Sequence, residues 1–284
     1  MSEATGKQAI VSISSHVVRG SVGNRGIVFA LQQLGFPVWA IPTTILPWHP
    51  GHGSTTGIVP DAKQYESIFS QLAQAPWKDE VSAVLSGYIA HTDQVLRIRE
   101  LVLSFREEKE DLIYTCDPVI GDVGGLYIPH EIAIAIKENL LPLCDIITPN
   151  LFELAWLTGC ELPSTAAEAR DMASSLEVPT VLVTSVPGAE EAQIANMVVT
   201  KEHCTVAFHQ KLSTPPNGTG DVTAALFLAN RLKGLKDAEN LINTTAVIFE
   251  ILRYSAHHNS DELKLEGVDL APNLPAANIE LLEL

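Results

Sequence analysis

Short apolar runs alternate with longer amphipathic stretches along most of the chain. The short runs are typical of buried strands, and the longer stretches repeat with the period of about 3.6 residues expected of helices. The pattern predicts strands at 9–13, 38–41, 83–85, 112–116, 146–147 and 180–183, and helices at 27–34, 61–72, 92–109, 129–139, 151–157, 165–176, 222–233 and 238–257. This alternation favours an α/β fold with a mainly parallel central sheet covered by helices on both faces.

Three segments depart from the alternation. Residues 193–200 and 203–208 alternate apolar and polar positions and predict an antiparallel hairpin at an edge of the sheet. Residues 44–60 are rich in proline and glycine and predict an exposed flap. Residues 262–284 carry little periodicity and predict a tail packed on the surface. Since no repeat or composition shift marks a second domain, the sequence predicts one domain over residues 1–284.

Charge and composition exclude several classes of protein. The chain has 18 Lys and Arg against 34 Asp and Glu, a formal charge of −16, so general binding to nucleic acid or to an anionic membrane surface is disfavoured. No apolar run approaches the roughly 20 residues that span a bilayer, and the first eight residues lack the apolar core of a leader, so we expect a cytoplasmic protein. The four cysteines contain no Cys-x-x-Cys pair, and we interpret them as reduced thiols.

The strongest local signal is Asn217-Gly218-Thr219-Gly220-Asp221, followed by the helical run at 222–229. Two glycines allow a tight turn, and its N–H groups, together with a helix N-terminus, form a site for an anion such as phosphate. A carboxylate beside that site is the arrangement that phosphoryl transfer to an alcohol requires, with Asp221 as the base. The alternative interpretation is a simple turn and helix cap. The Walker pattern of P-loop kinases is absent.

Two further segments place oxygen ligands at predicted strand ends. Asp117 directly follows an apolar strand, and Asn150 and Glu153 stand three residues apart at a helix start. Mg²⁺ is often held through one or two carboxylates together with nucleotide oxygens, which suits Asp117 and Glu153. The alternative is a capping box, in which Asn150 caps the helix and Glu153 reaches back. Both interpretations are compatible.

Five segments together resemble a known family. Residues 15–25, 86–88, 116–122, 148–153 and 218–221, in this order, resemble the signature elements of the ribokinase-like superfamily, and within it the pyridoxal kinase family. The resemblance covers nearly the whole chain. It implies a three-layer α/β/α fold and ATP-dependent phosphorylation of the 5′-hydroxyl of pyridoxal in vitamin B6 salvage, with pyridoxine and pyridoxamine as further candidate substrates.

The resemblance also implies individual roles. Asp221 is the implied general base, and the backbone of Gly218, Thr219 and Gly220 is the implied anion hole. The implied vitamer-binding residues, besides Asp221, are Ser15, Thr43, Thr44 and Tyr88. The implied nucleotide-binding residues are Asp117, Tyr127, Thr148, Asn150, Glu153, Thr184, Ser185, Lys211 and Leu212, with Asp117 and Glu153 also as metal ligands. The family further implies ATP, Mg²⁺, a monovalent cation such as K⁺, and a homodimer.

The flap departs from the family pattern. Pro47-Trp48-His49-Pro50 stands where the family commonly carries Ser-Asn-His-Thr, so only the histidine is shared. We therefore expect altered contacts to the pyridine ring. Trp48 either stacks on that ring or packs at a dimer contact, and the second is favoured.

Other functions stay open at this point. A hydroxymethylpyrimidine kinase of thiamine metabolism shares the fold, although those enzymes often carry Cys where Asp221 stands. A protein that binds B6 vitamers without turnover has no need of a base beside an anion hole. A sugar kinase is disfavoured by the apolar and aromatic flap.

Overall fold

The computed structural model describes residues 8–188, 190, 192–212, 216–270 and 280–283. Its strands are β1 (Ala9–Val17), β2 (Val38–Leu46), β3 (Val81–Ser86), β4 (Ile113–Cys116), β5 (Gly121–Asp122), β6 (Gly125–Leu126), β7 (Ile146–Ile147), β8 (Thr180–Pro187), β9 (Gln193–Val199), β10 (Cys204–Gln210) and β11 (Glu280–Glu283). Its helices are α1 (Asn24–Gln33), α2 (Ala62–Ala73), α3 (Thr92–Glu108), α4 (His130–Asn139), α5 (Leu151–Thr158), α6 (Ala166–Ser174), α7 (Thr219–Leu232) and α8 (Asp237–His257).

One large sheet organises the molecule. Its strand order is β11-β10-β9-β8-β7-β4-β3-β1-β2, parallel from β2 to β8 and antiparallel from β8 to β11. The predicted mainly parallel sheet is therefore confirmed. The predicted edge hairpin is also confirmed as β9 and β10, and β11 extends that edge by one strand.

Helices cover both faces of the sheet, which confirms the three-layer α/β/α architecture. On β1, Val11 and Ile13 pack into the core beneath α2 to α6, whereas Ile10 packs into the core beneath α1, α7 and α8. Because successive side chains of a strand point to opposite faces, a strand covered on both sides reads as an unbroken apolar run. That is why the runs at 9–13 and 83–85 identified their strands.

Several elements begin or end at other residues than predicted, and these differences lie at the predicted flap and at the predicted anion site. β1 continues to Val17 and β2 to Leu46, because parallel pairing between them extends past their apolar runs. The predicted flap at 44–60 is therefore wrong at its start, since residues 44–46 belong to β2. Helix α7 begins at Thr219 and not at 222, because Gly218 provides the left-handed backbone (φ 91°) that precedes it.

The predicted surface tail is only partly correct. Leu263, Leu265 and Leu270 are buried in the core beneath α1, α7 and α8, so the first part of this segment is an integral part of the fold. Residues 280–283 form β11, while 271–279 and 284 lie outside the described residues. Within the described part of the chain, no helix has the length and apolar character to cross a bilayer.

Candidate active site

The first turn of α7 has the geometry of the predicted anion site. Gly218 precedes the helix with a positive φ, and a Cβ there would lie 2.8 Å from the carbonyl oxygen of Ser21, so only glycine fits without strain. The first N–H groups of a helix have no acceptor within it, and the helix dipole adds positive potential. Gly220 is exposed, so the turn presents these N–H groups to a ligand.

Asp221 is the third residue of this turn. Its carboxylate is half-buried, and its Oδ2 accepts a hydrogen bond from the backbone N–H of Gly23 at 2.9 Å. Burial raises the pKa of Asp221 to about 6, and the bond from Gly23 opposes that rise. No ion pair to Asp221 is found among the described residues. A carboxylate with a pKa near neutrality and no cationic partner suits a general base.

The second carboxylate oxygen of Asp221 faces the end of β3. A Cβ at Gly87 would lie 3.7 Å from Oδ1 of Asp221 and 2.6 Å from the hydroxyl of Ser14. Next to Gly87, the N–H of Tyr88 donates to the Ser14 hydroxyl at 3.2 Å, and the carbonyl of Tyr88 accepts from the Thr43 hydroxyl at 2.7 Å. The ends of β1, β2 and β3 therefore form one wall beside the carboxylate, as expected for the carboxyl ends of parallel strands.

The other two predicted vitamer-binding residues lie at the margin of this wall. Ser15 is buried, and its hydroxyl would be 2.4 Å from a Cβ on Gly23, so it packs behind the loop that holds Asp221. Thr44 follows Thr43 on β2 and points to the opposite face, where its hydroxyl donates to the carbonyl of Ile58 at 3.2 Å. Thr44 thus joins β2 to the far end of the flap. Its role in vitamer binding stays a prediction.

Asp117 follows β4, and the carboxylates of Glu153 on α5 and Asp221 on α7 are near enough to affect its charge. Asp117 is buried and lies close to the anion site, because a Cβ on Gly220 would be 3.8 Å from its Oδ2. Burial raises the pKa of Asp117 well above its ordinary value, and the nearby carboxylates of Glu153 and Asp221 raise it further. Such crowding of like charge is relieved by a cation.

Glu153 holds together the loop that surrounds Asp117. Its carboxylate is 3% exposed and accepts the N–H of Ile120 at 2.8 Å and the N–H of Asn150 at 2.9 Å, while the Asn150 side chain accepts the N–H of Glu153. The predicted capping box is therefore confirmed. Burial raises the pKa of Glu153 to about 7, and its backbone hydrogen bonds act in the opposite direction. Asn150 also donates from its side chain to the carbonyl of Gly121 at 2.9 Å.

A cavity of about 390 Å³ opens beside the first turn of α7. It brings together seven predicted residues from separate parts of the sequence. These are Thr184, Ser185, Lys211, Leu212, Gly218, Thr219 and Gly220. Its remaining wall was not predicted and consists of Ile194, Ala195, Asn196, His209, Pro216, Asn217, Thr223, Ile248 and Leu252. The polar end at the turn and the apolar end toward α8 suit a phosphorylated, aromatic ligand such as a nucleotide.

Thr148 and Tyr127 complete the predicted nucleotide residues. Thr148 is buried at the end of β7, where its N–H donates to the carbonyl of Cys116 at 3.0 Å. Tyr127 follows the short hairpin β5–β6 and is half-exposed, with its hydroxyl donating to Asp122 at 2.5 Å. Neither residue lines the cavity, but both flank the loop that carries Asp117 and Glu153.

Sequence analysis did not assign roles to Gly23, Gly87 or Ser14. Each contributes through its backbone or through close packing, and such contributions leave no mark on hydropathy. The available signal was the position of each residue at the end of a strand, beside segments that resembled the family's first and second elements.

Comparison with known proteins adds independent findings. A family model described as Phosphomethylpyrimidine kinase matches residues 57–265. The pyridoxal kinase of Corynebacterium diphtheriae is 33% identical over 259 residues, which cover 89% of this chain and 92% of that protein.

Two solved structures are similar over almost their whole length. The pyridoxal kinase of Entamoeba histolytica has a TM-score of 0.89 at 23% identity, covering 98% of this chain and 100% of that one, a likeness of fold. The pyridoxal kinase of Leishmania donovani in complex with ADP and pyridoxamine has a TM-score of 0.88 at 26% identity, covering 98% and 99%.

Proposed function

Because the chain belongs to the pyridoxal kinase family of the ribokinase-like superfamily, we propose that it transfers the γ-phosphoryl group of ATP to the 5′-hydroxyl of pyridoxal. The observation that carries this proposal is the position of Asp221. Its carboxylate, with a pKa raised to about 6, stands in the same helical turn as the N–H groups of the anion site. Phosphoryl transfer depends mainly on positioning and on electrostatic stabilisation, and this turn supplies both.

The nucleotide is proposed to occupy the 390 Å³ cavity. Its base would lie toward Ile248 and Leu252 on α8, and Lys211 and Leu212 would border it. The phosphates would then lie at the first turn of α7, where helix N–H groups favour negative charge. The ADP complex of the Leishmania donovani enzyme, whose fold matches over 98% of this chain, is consistent with such a nucleotide site.

The acceptor alcohol is proposed to lie between Asp221 and the wall formed by Thr43, Gly87 and Tyr88. Gly23 binds Oδ2 of Asp221, which leaves Oδ1 directed toward this wall. As the hydroxyl oxygen attacks the γ-phosphorus, its proton passes to Oδ1, and the bond from the γ-phosphorus to the bridging oxygen breaks, so that ADP leaves. The absence of a Cβ at Gly87 leaves room for the substrate at that point.

Mg²⁺ fits the carboxylates around Asp117. Asp117 carries a charge disfavoured by burial and by two neighbouring carboxylates, so a divalent cation there would be stabilised. Mg²⁺ held there by Asp117 would neutralise charge on the nucleotide phosphates. Both oxygens of Glu153 already accept backbone N–H groups, so Glu153 contributes its charge and holds the loop. Among the described residues no set of three or more His, Cys, Asp or Glu side chains is placed to hold a metal ion. Activation by K⁺ stays a prediction.

A coupled assay for ADP release tests the function. Wild-type protein with ATP and Mg²⁺ should phosphorylate pyridoxal faster than hydroxymethylpyrimidine, and D221N should lose at least about 100-fold in rate, as for removal of a general base. D111N, a change at an exposed carboxylate, is the matched control and should keep wild-type activity. Binding of pyridoxal without ADP release would support a binding protein instead. Faster turnover of hydroxymethylpyrimidine would support the thiamine pathway.

A homodimer is the proposed assembly. Large apolar side chains are exposed in the flap, on α2 and shortly after α2, namely Trp48, Ile58, Val59, Ile68 and Trp77. Trp77 also lines an open groove with Trp39 and Leu72. An exposed apolar groove of this kind is a candidate protein contact. Sedimentation equilibrium should give twice the monomer mass, and a monomer at micromolar concentration would contradict the proposal.

A further inference from the structure

Glu262 lies where three loops of the active site meet. It follows α8, and its residue is only 8% exposed. Its Oε2 accepts the N–H of Ser21 at 3.3 Å, in the loop between β1 and α1. Its backbone pairs with Asn217, the residue immediately before the anion-site turn. A buried carboxylate at such a junction holds its neighbours in fixed positions, because removing it leaves their polar groups unsatisfied.

The loop between β1 and α1 is built around this carboxylate. Gly20 has a φ of 107°, and a Cβ there would lie 2.4 Å from Oε1 of Glu262, so the backbone can pass only as glycine. The Ser21 hydroxyl donates to the carbonyl of Leu263 at 2.9 Å. The same loop continues to Gly23, which donates to Asp221. Glu262 is therefore connected to Asp221 through the backbone of residues 20–23.

The flap is attached to the same carboxylate. His52 donates from Nε2 to Oε1 of Glu262 at 2.8 Å, and both side chains are largely buried. Gly51 lies against Asn217, since a Cβ on Gly51 would be 3.1 Å from its side-chain nitrogen. The flap thus rests on the residue before the anion-site turn, and His52 links the middle of the flap to Glu262.

An outer ion pair surrounds this contact. Arg19 binds Asp261 through two hydrogen bonds of 2.8 and 2.9 Å, and it lies 3.6 Å from Glu262. Arg19 and Asp261 are 54% and 58% exposed. Exposed pairs of this kind contribute little to stability, so the buried contact between His52 and Glu262 is the one expected to determine the position of the flap.

We propose that Glu262 is a positioning residue, which holds the flap against the anion-site turn by binding His52. It acts on substrate binding through the flap and through the loop of Gly23. This inference rests on the proposed function for its effect on catalysis, but the attachment of the flap can be measured without any activity.

Hydrogen exchange monitored by mass spectrometry tests the attachment directly. In H52A and E262Q, backbone N–H groups of the flap, such as those of Gly51, His52 and Gly53, should exchange about tenfold faster or more, as expected for loss of a charged hydrogen bond. Peptides from β3 report on global stability and should not change. H203A is the matched control, because His203 forms an exposed contact with Glu202 at 3.7 Å.

Kinetics and a double variant complete the test. H52A and E262Q should raise the KM for pyridoxal several-fold with little change in the KM for ATP. The KM of the double variant should not exceed that of the more impaired single variant, because both changes remove the same contact. Unchanged flap exchange in both variants, or equal acceleration in the flap and in β3, would overturn the inference. If wild-type protein does not phosphorylate pyridoxal, the proposed function fails, while the exchange experiment still decides the role of Glu262.

Discussion

Replacing Asp221 by asparagine is expected to stabilise the folded protein while it removes the proposed catalytic base. Burial raises the pKa of Asp221 from 3.8 to about 6, so the folded protein binds a proton here more tightly than the unfolded chain does. By proton linkage, the free energy of unfolding falls as pH rises between these two values and stays reduced above them. The D221N variant carries no charge and avoids this loss, and its side-chain oxygen can still accept the N–H of Gly23.

The expected gain follows from the two pKa values. Their difference corresponds to about 3 kcal/mol, and partial exposure of the carboxylate reduces this to about 2 kcal/mol above pH 7. At pH 5 the gain should fall to about half, since pH 5 lies about midway between the pKa values of the unfolded and the folded protein and the gain accumulates over that interval. Near pH 4 it should fall to about a fifth.

Urea denaturation of wild-type protein and D221N at pH 8 and pH 5 measures this difference. D111N serves as the control and should match the wild type at both values, because Asp111 is exposed. A D221N variant that is no more stable than the wild type at pH 8, or that gains equally at both pH values, would refute the electrostatic reasoning. The same reasoning predicts that turnover declines as pH falls through about 6, where the base takes up its proton.

Three further predictions concern the surrounding residues. Gly218→Ala should lower the free energy of unfolding by about 1–3 kcal/mol, because Gly218 has a positive φ and lies close to Ser21. Gly220→Ala should fold normally but lose turnover, because its Cβ would meet only Asp117, at 3.8 Å. Thermal unfolding and an assay of ADP release distinguish these two outcomes. Glu153→Ala should destabilise by about 3 kcal/mol in urea, because backbone N–H groups lose their acceptor, and wild-type stability would contradict the role given to this carboxylate. Asp117→Asn should raise the Mg²⁺ concentration needed for half-maximal turnover at least several-fold, and an unchanged Mg²⁺ dependence would exclude it from cation binding.

The site was predictable to the extent that its residues lie in short, ordered motifs. Asn217–Asp221 contains the glycines, the helix start and the acid within five residues, so the anion site could be inferred from local chemistry. The pair Asn150 and Glu153 likewise identified a helix start by its spacing, and the structure confirms the capping box. His209, Ile248 and Glu262 offered no such local signal, because each reaches the site through the packing of a separate element.

The sequence by itself determined the layered α/β fold and the local geometry at Gly218–Asp221. Both follow from interactions among residues close in the chain, namely the period of apolar side chains and the conformational freedom of glycine. Only the tertiary structure decided that Gly23 orients Asp221, that Asp117 and Glu153 share one electrostatic environment, and that the flap attaches to Glu262. These pairs lie 36 to 210 positions apart in the chain, and their energies depend on burial and on distances that exist only once the sheet has assembled.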